Sequence, residues 1–251
     1  MNRATRLLAL CYLIALAPNG AAADPVSRAD AIASTSSLSR SLPDWREVSL
    51  ALSHRFDDGW AGVARLDIQE RFDKEDVYAE LRIERALRGG TFYFAAGGAE
   101  DAVFRPELAI KAGGQLDISE RTGTTLLLLD ADASRFNSSD VFALKAGIDH
   151  QLTANGWRVR LQAISVSETG GPSLLGYALQ SQLPLGQSLS MHFGYADAPE
   201  TSEGVVVRVK GWTTGLILDV GETWIIRADV TTEDRGAYTR DEIAVGTALR
   251  F

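Results

Sequence analysis

The chain has 251 residues, of which 45% are apolar, with a mean hydropathy of -0.04 and a formal net charge of -8. This length suits one large domain or two small ones. The acidic balance disfavours a nucleic-acid-binding protein, because such proteins usually carry clustered basic residues.

The first 23 residues have the pattern of a secretory signal peptide. Arg3 and Arg6 precede an apolar run over residues 7–17, and an A-x-A cleavage site ends at Ala23. The run is shorter than the roughly 20 apolar residues that a transmembrane helix needs. We therefore expect residues 1–23 to be cleaved and residues 24–251 to form the mature protein. Cleavage would also remove Cys11, the only cysteine, and with it any disulfide or thiolate metal site.

Apolar residues in the rest of the chain recur with a period of two. In the stretch GVARLDIQERF, Leu66 and Ile68 lie on one face while Arg65 and Asp67 lie on the other. The stretches DVYAELRIERA, ELAIKAGGQLDIS and WRVRLQA repeat the pattern. Such alternation predicts strands with one apolar face, in a soluble sandwich or in a barrel.

The connections between these strands favour the barrel. Short turns are predicted at FDDG, LRGG, SERTG, TANG, PLGQ and VGET. Longer or more polar breaks alternate with them at LPDW, FDKED, GGAEDAVFRP, ASRFNSS, SETGGPS, ADAPETSEG and TTEDRGAYTR. Barrels of the bacterial outer membrane have short periplasmic turns and longer outside loops. We predict an all-β, closed antiparallel transmembrane β-barrel of 14 strands if the stretch from Ala29 to Arg40 supplies the first, and of 12 strands if it does not.

Aromatic residues are placed as this prediction requires. Trp60, Trp157 and Trp224 each follow a short turn, which puts them at one height, where an aromatic belt meets the membrane interface. One stretch departs from simple alternation. In VVVRVKGWTTGLILDV, the apolar positions shift from Val205, Val207 and Val209 to Trp212, Leu216 and Leu218, so the pattern predicts a bulge near Gly211.

The chain ends in an apolar strand, DEIAVGTALRF. A terminal strand is usually an exposed edge, but in a closed barrel it pairs with the first strand, because the bilayer core tolerates no unpaired backbone. Gly246, Leu249 and Phe251 resemble the C-terminal assembly signal of outer-membrane barrels. Ala244 stands where that signal usually has a polar residue.

Four stretches resemble the YaiO-type outer-membrane barrel family: LPDWREVSLAL, NGWRVRLQ, GYADAPET and YTRDEIAVGTALRF. The likeness runs through nearly the whole mature chain and implies location and architecture more than activity. Some members of the family carry helical repeats before the barrel, an arrangement similar to that of exporters of extracellular polysaccharide. This chain has too few residues before the barrel for such a domain.

The three histidines do not predict an active site. His54 and His150 lie at strand ends beside short turns, and His192 should face the lumen near Ser188 and Ser190. Neighbours on one face of a strand stand too far apart for a Ser–His dyad. The motifs G-x-S-x-G and H-E-x-x-H and the P-loop do not occur. We predict no catalytic residue, no cofactor and no metal site.

Several acidic residues lie near the predicted outside loops: Asp130, Asp132, Glu168 and Glu233. A solvated surface facing lipopolysaccharide is the simplest interpretation of this acidic set. A catalytic carboxylate pair and a Ca²⁺ site are the alternatives.

The predicted lumen carries charges of both signs. The basic residues are Arg65, Arg71, Arg82, Lys111, Lys145, Arg158 and Arg160. The acidic residues are Asp67, Glu80, Glu84, Asp117 and Asp149. These charges could line a wet pore or form a plug of ion pairs.

The function predicted from the sequence is a non-enzymatic barrel of the bacterial outer membrane for passage or secretion of polar solutes or polysaccharide. The expected partners are outer-membrane lipids, lipopolysaccharide and the barrel-assembly machinery, and not nucleic acid. The alternatives are an outer-membrane hydrolase acting on lipid or peptide, and a plugged structural barrel.

Overall fold

The computed structural model describes residues 27–56, 58–119, 124–202 and 204–251. The predicted signal peptide and its cleavage site lie outside the described residues. Within those ranges, the chain has no helix that is long and apolar enough to cross a membrane.

The described residues form fourteen strands in one closed antiparallel barrel, which confirms the predicted fold and the higher strand number. The first seven strands are β1 Ser27–Leu38, β2 Trp45–Arg55, β3 Trp60–Arg71, β4 Lys74–Leu87, β5 Gly90–Ala99, β6 Leu108–Asp117 and β7 Thr125–Arg135. The other seven are β8 Asp140–Gln151, β9 Arg158–Glu168, β10 Leu174–Pro184, β11 Leu189–Ser202, β12 Val205–Val220, β13 Trp224–Asp234 and β14 Thr239–Arg250.

The barrel closes between β1 and β14. Their pairing runs without interruption from Arg28 opposite Arg250 to Leu38 opposite Arg240. At the end of the chain, Ser27 and Phe251 exchange backbone hydrogen bonds of 2.8 and 2.9 Å. The C-terminal strand therefore has no free edge.

Alternation along each strand separates the outer wall from the lumen. In β4, Leu81 and Ile83 are exposed on the outer wall, whereas Asp76, Tyr78 and Glu80 are buried inside. The other strands repeat this arrangement, so the outer wall is mostly apolar and the inside is largely polar. This distribution is typical of transmembrane barrels and is the inverse of a soluble sandwich.

The two ends of the barrel differ. We call one end the turn end; it holds Ser27, Phe251 and the connections 56–59, 88–89, 118–124, 152–157, 185–188 and 221–223. The opposite end, the loop end, holds connections 39–44, 72–73, 100–107, 136–139, 169–173, 203–204 and 235–238. Two of the tight turns at the turn end depend on left-handed glycines, Gly89 with φ 82° and Gly221 with φ 63°.

The predicted long breaks are shorter than expected, because the strands continue into all seven of them. The longest continuations are residues 74–76 of β4, 97–99 of β5, 133–135 of β7, 196–202 of β11 and 231–234 of β13. Polar side chains there form contacts of their own, as between Asp197 and Arg208 of β12. The polar composition of these stretches suggested loops, although their backbone is still paired within the sheet.

The predicted bulge near Gly211 is wrong. Gly211 pairs in unbroken register with Ala196 of β11 and Glu233 of β13. Val209 faces inward and is buried, while Trp212 faces outward and is exposed. The strand keeps its two faces throughout. The apolar residues change face because those near the loop end point into the barrel, whereas those nearer the turn end point to the outer wall.

Candidate functional site

One side of the lumen is filled by side chains from β1 to β5, and we call it the packed sector. Glu47 and Asp67 are each only 1% exposed. The hydroxyl of Ser49 donates to Asp67 at 2.7 Å, and the amide of Gln69 donates to Glu47. Long polar side chains on neighbouring strands thus bond one another and leave little space.

The loop at 100–107 folds into the barrel against this sector. The buried carboxylate of Asp76 accepts backbone N–H bonds from Val103, Phe104 and Arg105 at 2.7–3.0 Å. The guanidinium of Arg105 then reaches Asp67 at 2.7 Å. The loop is therefore held by the wall carboxylate of Asp76, which binds its backbone, and by the ion pair between Arg105 and Asp67.

An aromatic cluster closes the packed sector at the loop end. The ring of Trp45 is 2% exposed, and its centroid lies 5.6 Å from that of Phe72 and 5.9 Å from that of Tyr238. Phe72 and Asp73 form the two-residue β3–β4 turn with φ of 48° and 62°, a conformation that is costly for a phenylalanine. Aromatic packing stabilises this turn and joins β2, β3 and the β13–β14 loop.

Three guanidinium groups lie over the Trp45 ring. That of Arg71 is 4.3 Å from the ring centroid, and those of Arg235 and Arg240 are each 5.3 Å away. Each distance is within the range of an attractive cation–π contact. The cluster therefore concentrates positive charge at the loop end.

Carboxylates compensate two of these three charges. Arg235, in the loop 235–238, contacts Glu233 at 2.8 Å and Glu200 at 3.1 Å. Burial acts to lower the pKa of Arg235, but the carboxylates of Glu200 and Glu233 outweigh it and hold the pKa above its ordinary value. Arg240 contacts Glu242 at 2.7 Å. These two guanidiniums are bound within the protein.

The opposite side of the lumen, from β6 to β13, contains a cavity of about 550 Å³, and we call it the open sector. The cavity wall extends from Arg158 and Gln182 near the turn end to Phe136 and Glu200 near the loop end. Small residues make the space: Ala143, Ala178, Gly194, Ala196 and Gly211. The open sector therefore spans most of the length of the barrel.

The cavity wall carries more cations than carboxylates. Its basic residues are Arg71, Arg105, Lys111, Lys145, Arg158, Arg160 and Arg227. Its carboxylates are Asp132, Asp149, Glu200 and Glu233. The side chains that line the cavity thus carry a net positive charge, whereas the net charge of the whole chain is -8.

Carboxylates behind the lining pair with three of these cations: Asp67 with Arg105, Glu80 with Lys111 and Asp229 with Arg227. Asp149 holds both Arg158 and Arg160, each at 2.8 Å, so one carboxylate faces two guanidiniums. Lys145 lies opposite Ile164 of β9 and opposite Asp130 of β7, and within the described ranges no ion pair joins it to a carboxylate. Near Asp149, two guanidiniums against one carboxylate leave one positive charge.

His192 faces the lumen, as the sequence predicted, and is buried in the wall. Its Nε2 lies 2.7 Å from Oδ1 of Asp229, whose other oxygen accepts from Arg227. A Cβ on Gly215 would lie 2.2 Å from that Asp229 oxygen, so the pair needs a glycine beside it. His54 and His150 lie near the turn end, where Ser27 and Thr125 are their hydrogen-bond partners.

The other predicted lumen cations also face inward. Arg65 contacts Asp67 at 2.8 Å, and Arg82 contacts Glu84 at 2.7 Å. Lys111 contacts Glu80 at 2.6 Å. The structure thus joins most of the predicted basic and acidic residues into pairs between or along neighbouring strands.

The residues of the predicted belt and assembly signal lie at the turn end. Trp60 begins β3, Trp224 begins β13 and Trp157 precedes β9, and all three are exposed on the outside. In β14, Leu249 pairs with Ala29, and Gly246 pairs with Ile32. Phe251 follows the strand and is exposed. Their roles in the membrane and in assembly stay predictions.

The four acidic residues predicted near outside loops all belong to strands, with Glu168 and Glu233 close to the loop end and Asp130 in the middle of β7. Asp130 lies within β7 and accepts from the Tyr93 hydroxyl at 2.7 Å. Asp132, also in β7, accepts from Ser134, and Glu168 ends β9. Within the described ranges, no three His, Cys, Asp or Glu residues are grouped so as to hold a metal ion.

Sequence patterns did not single out Arg105, Arg227, Asp229, Arg235 or Arg240. Arg227 and Asp229 do alternate with Ile226 and Ala228, so a stricter reading of β13 would have placed them in the lumen. Arg105 and Arg235 lie in loops, and only the folding of those loops brings them inside.

No family model matches the sequence, and no curated protein matches it. The resemblance to YaiO-type barrels therefore stays a prediction.

Solved structures share the fold. OmpF of Salmonella typhi, in a complex with daunomycin, superposes with a TM-score of 0.52 at 9% identity, over 90% of this chain and 97% of that one. The anion-selective porin from Comamonas acidovorans has a TM-score of 0.49 at 10% identity, over 90% and 98% of the two chains. The outer membrane protein opdK from Pseudomonas aeruginosa has a TM-score of 0.49 at 9% identity, over 91% and 99%. At such identities the likeness is one of fold.

Proposed function

We propose that this protein is a non-enzymatic pore of the bacterial outer membrane that passes small polar solutes and favours anions. The observation that carries the proposal is the long cavity of about 550 Å³, whose lining presents seven basic residues against four carboxylates, while Asp67, Glu80 and Asp229 lie behind it as partners of three of these cations. Charges that line a narrow lumen set which ions enter it. The outer wall supports a membrane location, because it exposes a continuous set of Leu, Ile, Val and Phe side chains.

The packed sector limits the size of the solute that can pass through the barrel. Since side chains and the loop 100–107 fill that side, the route through the barrel is narrower than the barrel wall would permit. This favours small solutes over polysaccharide. His192 is engaged by Asp229 in the wall, which supports a structural role for it and a non-enzymatic barrel.

Single-channel recording in a planar bilayer tests the pore. In a KCl gradient, we expect discrete current steps and a reversal potential whose sign indicates selectivity for chloride over potassium. The double variant Lys145→Gln/Arg158→Gln leaves Arg160 to pair with Asp149. At roughly 6 Å in water a unit charge attracts a counter-ion by about 0.7 kcal/mol, so each removal should lower the chloride preference at most about threefold.

Arg208→Gln is the matched control, because Arg208 lies on the outer wall, where Asp197 is its partner. It should leave the reversal potential unchanged. Potassium selectivity in the unmodified protein, or the absence of current steps, would refute the proposal.

Location and assembly need separate experiments. We expect the mature protein to begin at Asp24 and to fractionate with the outer membrane, as membrane fractionation and N-terminal sequencing would show. A Phe251→Asp protein should insert poorly, measured by loss of heat-modifiable mobility, whereas Phe251→Tyr should insert normally. Normal insertion of Phe251→Asp would count against the assembly signal.

A further inference from the structure

Arg71 differs from the two other arginines at the loop end. All three guanidiniums lie over Trp45, but Arg235 and Arg240 are bound by carboxylates, as described above. Within the part of the chain that the structure describes, Arg71 forms no ion pair and no side-chain hydrogen bond. Its Nε is shielded from solvent and has no acceptor. Buried donors usually have an acceptor, so the Arg71 Nε is a donor that an oxyanion entering the cavity would satisfy.

The surroundings of Arg71 orient its guanidinium for such an acceptor. The ring centroids of Trp45 and Phe104 lie 4.3 Å and 5.2 Å from the guanidinium carbon of Arg71. Contact with these two rings restrains the Arg71 side chain. Stacking leaves the N–H groups in the guanidinium plane free to donate. A planar fork of this kind matches the two oxygens of a carboxylate or a phosphate.

A second arginine borders the same space. Arg105 lines the cavity beside Phe104, uses one terminal nitrogen for Asp67 at 2.7 Å, and has an Nε without a partner. Two carboxylates attract Arg71 without an ion pair: Glu200, which is held by Arg235 at 3.1 Å, and Glu47, which accepts from Gln69. The loop end of the cavity therefore presents two incompletely satisfied guanidiniums.

We propose that Arg71, with Arg105, forms an oxyanion-binding site at the loop end of the cavity, which takes the carboxylate or phosphate group of a small solute. This inference rests on the proposed pore and deepens it, because it names the chemical group that the pore captures before passage. The remainder of the solute would extend into the open sector.

Calorimetric titration of the detergent-solubilised protein tests the site without requiring conductance. Inorganic phosphate and acetate are the probes, at fixed chloride concentration. We expect saturable binding of at least one of them, and the probe that binds identifies phosphate or carboxylate as the preferred group. Absence of saturable binding of both would overturn the proposal.

Variants of Arg71 assign the binding to this residue. Since a hydrogen bond to a charged group contributes strongly, Arg71→Gln should weaken binding about tenfold or more. Arg208→Gln, on the outer wall, should bind as the unmodified protein does. If Arg71→Gln fails to fold by heat-modifiable mobility, Arg71→Lys decides, because it keeps the charge and loses the fork. Unchanged affinity in the folded variant would overturn the proposal.

The two proposals can fail separately. Current steps without binding of either probe would leave the pore and remove the site. Binding that depends on Arg71 in a protein without current steps would leave the site and remove the pore.

Discussion

The packed and open sectors are built from the same alternating strands, yet one fills its side of the lumen and the other leaves a cavity of about 550 Å³. The difference lies in side-chain volume. The packed sector turns Trp45, Glu47, Gln69 and Tyr78 inward, whereas the open sector turns alanine and glycine inward at many equivalent positions. A barrel of this size therefore becomes a plug or a channel according to the residues on its inner face.

Ion pairing does not separate the two sectors. In each of them one buried carboxylate holds two guanidiniums: Asp67 with Arg65 and Arg105, and Asp149 with Arg158 and Arg160. One of the partners of Asp67 comes from the loop 100–107, however, while both partners of Asp149 come from β9. The packed sector thus gains its density from a loop as well as from strands.

The largest effect on stability should come from the packed sector. Trp45→Ala would remove the ring on which Phe72, Tyr238 and three guanidiniums rest, and such losses of a buried aromatic residue cost about 3–5 kcal/mol. The folded fraction as a function of urea concentration, read by heat-modifiable mobility, measures this. Trp212→Ala, on the outer wall, should cost less than half as much, and equal costs would contradict the assignment of Trp45 to a core.

A smaller effect is expected at the base of the inward loop. Asp76→Ala would leave the N–H groups of Val103, Phe104 and Arg105 without their shared acceptor, at a cost of about 1–3 kcal/mol. The loop should then become sensitive to proteolysis, with cleavage between residues 100 and 107. Glu100→Ala, at an exposed position of the same loop, is the control. Equal resistance of both variants to protease would show that Asp76 does not hold the loop.

A substitution in the open sector should have the smallest effect on stability. It should have a large effect on conductance. Ala178 lines the cavity, and Leu175 of the same strand is exposed on the outer wall. Ala178→Trp should roughly halve the single-channel conductance, since it fills existing space, and should change the urea midpoint little. Leu175→Trp, its control on the outer wall, should conduct normally. An unreduced conductance in Ala178→Trp would place the solute path elsewhere.

Several parts of the site were accessible from the sequence, and others were not. Arg158 and Arg160 follow the period of two, so their inward direction was predictable without a structure. The path of the loop 100–107 was not, because its position depends on Asp76, which lies 27 to 29 residues away from the amides that it binds. His192 was placed in the lumen, but its partner Asp229 comes from a strand that is not its neighbour.

By itself the sequence determined the all-β class and the direction of most side chains, because alternation and turn residues act over only a few positions, and it left the strand number open between 12 and 14. Tertiary structure alone decided which charges meet, where the strands end at the loop end, and which side of the lumen is filled. Those features depend on closure of β1 on β14, since only a closed barrel sets the distances between side chains that point into its interior.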